Sequence, residues 1–81
     1  MHEYSLVAAL CERVEEEARK MNASSVEKIL VKIGDVAGVE RELFATAFDT
    51  FKQGICAGAV LEIVKCAGEE IVLQRVEMEV P

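Results

Sequence analysis

Val26-Glu27-Lys28-Ile29-Leu30-Val31-Lys32-Ile33-Gly34 is the stretch that decides the fold. Ile29, Val31 and Ile33 recur at every second position, and Lys28, Leu30 and Lys32 make the opposite side mostly polar. That alternation predicts a strand with one buried face. Upstream, from Tyr4 to about Asn22, Val7, Leu10, Cys11, Val14, Ala18 and Met21 recur at three- and four-residue spacing, while Glu12, Glu15, Glu16 and Arg19 lie mostly on the other side. This is the pattern of an amphipathic helix, which Asn22 can end by adopting the left-handed conformation.

Downstream, Gly34-Asp35-Val36-Ala37-Gly38 reads as a loop, and Glu40 and Glu42 stand where a helix dipole favours acids. The second helix carries Leu43, Phe44, Ala47, Phe48 and Phe51 as a one-sided stripe, with Gly54 as the stop. This stripe holds all 3 phenylalanines of the chain, so it is expected to anchor the core. Val60 to Lys65 and Ile71 to Val80 favour strand, the second with a shift of alternation near Gln74 and Arg75 that suggests a bulge. Cys66-Ala67-Gly68-Glu69 between them has the length of a hairpin connection. The order α-β-α-β-β, with two amphipathic helices each needing to bury a stripe, predicts an α+β, two-layer fold in which two helices pack on one face of a three-stranded sheet.

Residues 1–81 are expected to form a single domain, near the lower size at which one apolar core suffices. With 52% hydrophobic and 30% charged residues the chain should fold rather than remain disordered. A net charge of -6 would repel nucleic-acid phosphates and anionic lipid headgroups, so neither is an expected partner. The apolar runs around 6–11 and 55–64 are too short or too interrupted to span a bilayer. Cys11, Cys56 and Cys66 are an odd number without a framework spacing. They argue against a secreted disulfide scaffold and for a cytoplasmic address.

Catalytic constellations are missing, since the chain has 1 His, no Gly-x-Ser-x-Gly and no phosphate-cradling glycine loop; no enzyme is expected. The acid runs 15–17 and 69–70 read as solvated surface. Cys11 lies on the apolar stripe of the first helix and reads as a small core residue. Cys56 and Cys66 read as loop thiols that cannot by themselves complete a four-ligand zinc site. A redox role for that pair would require unusually reactive thiols. The opening Met1-His2-Glu3 is different. The Met1 amine, the His2 amide nitrogen and the His2 imidazole can close adjacent chelate rings around one metal and leave a planar position for a fourth donor, a nitrogen set suited to Ni(II) or Cu(II). The competing reading is a frayed terminus with a solvated His.

Met1-His2-Glu3-Tyr4-Ser5-Leu6-Val7 resembles the opening of the HypA/HybF family of nickel-incorporation proteins. Glu15-Glu16-Glu17-Ala18, the run from Val31 to Val39, Leu43-Phe44-Ala45-Thr46-Ala47-Phe48, Glu62-Ile63 and Val76-Glu77-Met78-Glu79 are similar to its internal landmarks, so the resemblance extends over essentially the whole chain. One departure is large. Family members carry a zinc domain built on two Cys-x-x-Cys pairs between the last two strands, and here only Cys66 stands in that region, at about 65–70. The chain reads either as a natural degenerate member or as an engineered deletion, and the family pattern that both flanking strands keep up to the junction favours deletion.

The resemblance implies a nickel-binding domain of a metallochaperone that helps deliver Ni(II) during maturation of [NiFe]-hydrogenase, and in some organisms urease. Its metal residues would be Met1, His2 and Glu3, and no zinc is expected in this chain; Glu40, from its place at the start of the second helix, is a further candidate for a carboxylate contact. Implied partners are a nickel-handling maturation GTPase of the HypB type and, beyond it, the hydrogenase large subunit or a urease accessory protein. The alternative is a metal-free protein-protein interaction module in which His2 is incidental. If the short connection at Cys66 cannot close within one chain, the last strand would cross to a second copy, so either a monomer or a strand-swapped dimer is expected.

Overall fold

The structure is a computed structural model that describes residues 2–81, the His2 side chain excepted. Five principal elements follow in the expected order: helix α1 (His2–Lys20), strand β1 (Ser25–Gly34), helix α2 (Arg41–Phe51), strand β2 (Val60–Cys66) and strand β3 (Ile71–Glu79). A 3-10 turn, Gly54–Cys56, precedes β2. Asn22 takes the left-handed conformation with φ 55°. The Ala23 N–H reaches back to the Ala18 carbonyl at 2.9 Å, which closes the end of α1 and turns the chain into β1.

The sheet order is β2-β1-β3, so the strand read first from the sequence is the central one. β2 runs parallel to it and β3 antiparallel. Val26, Ile29, Val31 and Ile33 of β1 are buried. Above them lie Val7, Val14 and Ala18 of α1, Phe44, Ala47 and Phe48 of α2, and Cys56 and Ala59. Leu30 pairs with Arg75 whereas Val31 pairs with Leu73, so Gln74 is the extra residue of a bulge at the predicted place. A second irregularity, at Glu27 on β1, had no signature in the alternation of β3.

Two expectations need correction. The aromatic stripe is narrower than its spacing suggested: Leu43 is 50% and Phe51 39% exposed, and only Phe44, Ala47 and Phe48 enter the core from α2. An 11-residue helix on a small sheet and one other helix buries a narrow stripe, and the other residues of α2 are exposed. The connection after Cys66 is not a hairpin either. β2 and β3 do not pair, because β1 lies between them. Residues 67–70 therefore bridge two inter-strand spacings, roughly 9–10 Å, across the end of the central strand.

That crossing is built against the loop after β1. The Gly34 N–H donates to the Glu70 carbonyl (2.8 Å), Asp35 N–H to the Cys66 carbonyl (2.8 Å) and Val36 N–H to the Gly68 carbonyl (3.0 Å). The Gly68 N–H in turn donates to the Asp35 carboxylate at 3.1 Å. Gly68 itself has φ +106°, and a Cβ on Gly34 would collide with the Gly68 carbonyl. Gly34-Asp35 thus seats the crossing.

Candidate metal-binding terminus

Met1 lies outside the described residues, as does the His2 side chain. The backbone from His2 onward belongs to α1. The first amides of a helix have no carbonyl partner within it, so His2 and Glu3 present N–H groups that α1 does not use.

Glu3 is partly buried, and its carboxylate accepts a hydrogen bond from the Glu40 backbone N–H at 3.3 Å. Glu40 is the N-cap of α2, with extended backbone (φ -87°, ψ 119°), and its own side chain makes no capping bond. The Glu40 carbonyl receives the first helical hydrogen bond, from Phe44 N–H at 3.0 Å. The anionic cap for α2 therefore comes from α1: Glu3 sits where the helix dipole favours a carboxylate. This contact joins the two helix starts by tying Glu3 to Glu40. The sequence shows both acids but no spacing rule that pairs residues 37 apart.

A second tie lies one residue on, where the Tyr4 and Phe51 rings meet edge to face with centroids 5.7 Å apart. Both rings remain partly exposed, at 38% and 39%. Along the opening between α2 and β2 runs a groove of about 450 Å³ lined by Glu40, Arg41, Glu42, Ala45 and Ile63. Glu40 and Arg41 also line its neighbour of about 270 Å³, together with Asp35 and Lys65. The surroundings of Glu40 are thus open to solvent and carry charges of both signs.

Among the described residues no group of three or more His, Cys, Asp or Glu is arranged to hold a metal ion. Cys56 is not the loop thiol expected from its position but a core residue in the 3-10 turn, 1% exposed, and burial together with Cys11 and Glu15 pushes its pKa up to about 11. Cys66 ends β2, so the two thiols do not share a loop. Among the described residues no helix is long and apolar enough to cross a membrane.

The family model described as HypA, hydrogenase/urease nickel incorporation, metallochaperone, matches residues 1–78. The hydrogenase maturation factor HypA of Shewanella halifaxensis is 53% identical over 62 residues, which cover 75% of this chain and 54% of the relative. The hydrogenase/urease maturation factor HypA of Helicobacter pylori is 41% identical over 66 residues, 79% of this chain and 56% of the relative. The chain therefore spans about half the length of these curated relatives. The solution structure of the Ni metallochaperone HypA from Helicobacter pylori aligns with a TM-score of 0.84 at 25% identity, covering 98% of each chain. A family match from residue 1 to residue 78, on a fold shared with a nickel metallochaperone, places the chain in the HypA family of hydrogenase/urease nickel-incorporation metallochaperones.

Proposed function

We propose that this chain carries Ni(II) as cargo at its amino terminus, through the Met1 amine, the amide and imidazole of His2 and the amide of Glu3, in planar geometry. The observation that carries the reading is that α1 begins at His2 and is held there by the Glu3 carboxylate on the Glu40 N–H. Metal can displace the amide protons of His2 and Glu3 without breaking a helical hydrogen bond, so folding and binding do not compete. The Glu3 carboxylate is already engaged by α2, which suits its amide, rather than its side chain, to the donor set. Glu40, whose backbone N–H meets Glu3, is the candidate for an additional carboxylate contact.

Metal binding at such a set releases protons, so affinity falls as pH falls, an arrangement suited to handing the ion on. The recipient in this reading is a maturation GTPase of the HypB type, with the hydrogenase large subunit or a urease accessory protein further along. The protein acts as a carrier, with no catalytic step of its own, in the cytoplasm. Zinc has no role here, because Cys66 alone cannot build the closed tetrahedral site. In longer members the zinc module would enter between about 65 and 70: residues 67–70 of the crossing are exposed and outside the core, where an insertion leaves both helices and all strands in place. The state in this reading is a monomer or a strand-swapped dimer, which light scattering distinguishes.

Calorimetric titration of the untagged chain is expected to give one Ni(II) per chain, lost in His2→Ala and in a form extended by residues before Met1. Equal affinity in all three would overturn the assignment. It would favour instead a metal-free interaction module, a reading for which Tyr4, Leu43 and Phe51 are partly exposed apolar groups on the two helices.

A further inference from the structure

Away from the terminus, the structure brings together two thiols that the proposed nickel site does not use. Cys11 lies on α1 and is half-buried; Cys56 ends the 3-10 turn and is 1% exposed. Both line one cleft of about 150 Å³, shared with Ala8, Glu12 and Glu15 from α1 and with Phe51 and Gln53 from the far side. The thiols are close enough that ionisation of Cys11 opposes that of Cys56, and Glu15 opposes both. We propose that Cys11 and Cys56 are a redox pair that closes to a single disulfide across the seam between α1 and the 3-10 turn.

The chemistry follows from the unequal exposure. A low-molecular-weight disulfide, RSSR, is the oxidant. The accessible Cys11 loses its proton and attacks one sulfur of RSSR, breaking that S–S bond and releasing one RS⁻. The Cys56 thiolate then attacks the Cys11 sulfur of the mixed disulfide and expels the second RS⁻. Two protein thiols are oxidised, one RSSR is reduced, and the two protons lost by the cysteines end on two RSH. Burial and Glu15 make thiolate scarce near neutral pH, so closure is slow there and faster in alkali. The product carries no charge, so neither effect opposes it. A reduced form not stabilised as thiolate also favours the disulfide at equilibrium. Among the described residues no group of three or more His, Cys, Asp or Glu that could hold a metal includes the pair.

The bond would join positions 11 and 56 and enclose β1 and α2, a long loop whose closure restricts the unfolded chain. The prediction is independent of nickel, so its failure leaves the terminal site untouched and the reverse holds as well.

The test is incubation of the full chain, and of Cys66→Ser, in glutathione redox buffer under mildly alkaline conditions, followed by peptide mass mapping. Both proteins are expected to lose two hydrogens and yield a Cys11–Cys56 linked peptide. The oxidised Cys66→Ser form should melt on the order of 10 °C above the reduced one. In native Cys11→Ser, Cys56 should remain unmodified. A glutathione adduct that persists on Cys11 without closing, disulfides that always involve Cys66, or equal melting of the two Cys66→Ser forms would each overturn the proposal.

Discussion

Gly34→Ala is expected to destabilise the fold severely although it replaces one small residue by another. The added Cβ would overlap the Gly68 carbonyl oxygen, stand 2.6 Å from its carbon and 3.0 Å from the Glu69 nitrogen. These are backbone atoms, so no side-chain rotation relieves the contact. The crossing must lift from the end of β1, which strains or breaks the bonds Gly34 N–H to Glu70, Asp35 N–H to Cys66, Val36 N–H to Gly68 and Gly68 N–H to Asp35. At about 0.5–1.5 kcal/mol net for each bond, loss of the set costs roughly 2–6 kcal/mol. The lower chain entropy of Ala in the unfolded state returns about 0.4–1 kcal/mol. At the middle of these ranges the net loss is about 3 kcal/mol, which should lower the melting temperature by roughly 12–24 °C for a domain of this size. The assay is thermal and urea unfolding followed by circular dichroism. Gly58→Ala serves as the control, because a Cβ there meets nothing within 4 Å and Gly58 does not have positive φ; it should be neutral or slightly stabilising. A Gly34→Ala protein melting within a few degrees of the parent would refute the account of why glycine stands at this position.

Other outcomes follow from the same packing. Phe48→Ala, at 1% exposure, should cost about 3–5 kcal/mol and leave the chain largely unfolded, whereas Phe51→Ala, at 39%, should cost about 1 kcal/mol or less; urea titrations of the two variants check the contrast. The folded-state pKa of Cys56, about 11, lies above the ordinary thiol value of 9.0, so the native state holds this proton more tightly than the unfolded chain does. The resulting stability is intact below about pH 9 and declines as pH rises toward 11, by at most about 2–3 kcal/mol, and the decline should flatten in Cys56→Ala when unfolding is measured across that range. Glu3→Ala keeps the backbone amide but removes the tie to Glu40, so it should weaken Ni(II) binding by less than ~10-fold, equivalent to the net worth of one hydrogen bond, while His2→Ala abolishes it; calorimetry separates the two.

The elements were legible because each carries its own period. Val7, Val14 and Ala18 mark the buried side of α1, and Ile29, Val31 and Ile33 that of β1, irrespective of what packs on them. Even the bulge at Gln74 was announced by a break in alternation. Pairing between elements was not legible. Nothing local distinguishes a tight hairpin from the crossing over β1; that information lies in Gly34, whose missing Cβ makes room for Gly68 from the other end of the chain. The same is true at the terminus. The chelating potential of Met1-His2-Glu3 follows from covalent structure alone, whereas the Glu3 carboxylate on the Glu40 N–H is a tertiary contact with no signature in either segment. Cys56 reads as a loop thiol in the sequence because a three-residue 3-10 turn is too short to show a period, yet in the fold that turn buries it in the core.

The central claim, a planar nickel site made by the first residues of α1, is tested most directly by NMR of the isotopically labelled untagged chain during titration with Ni(II). Planar low-spin Ni(II) is diamagnetic. The account predicts that at one equivalent the resonances of Met1, His2 and Glu3 move and stay sharp, the amide protons of His2 and Glu3 disappear, and Glu40 is the remote residue that responds. Paramagnetic broadening around the terminus, persistence of both amide protons, or shifts centred elsewhere with the terminus unmoved would contradict it.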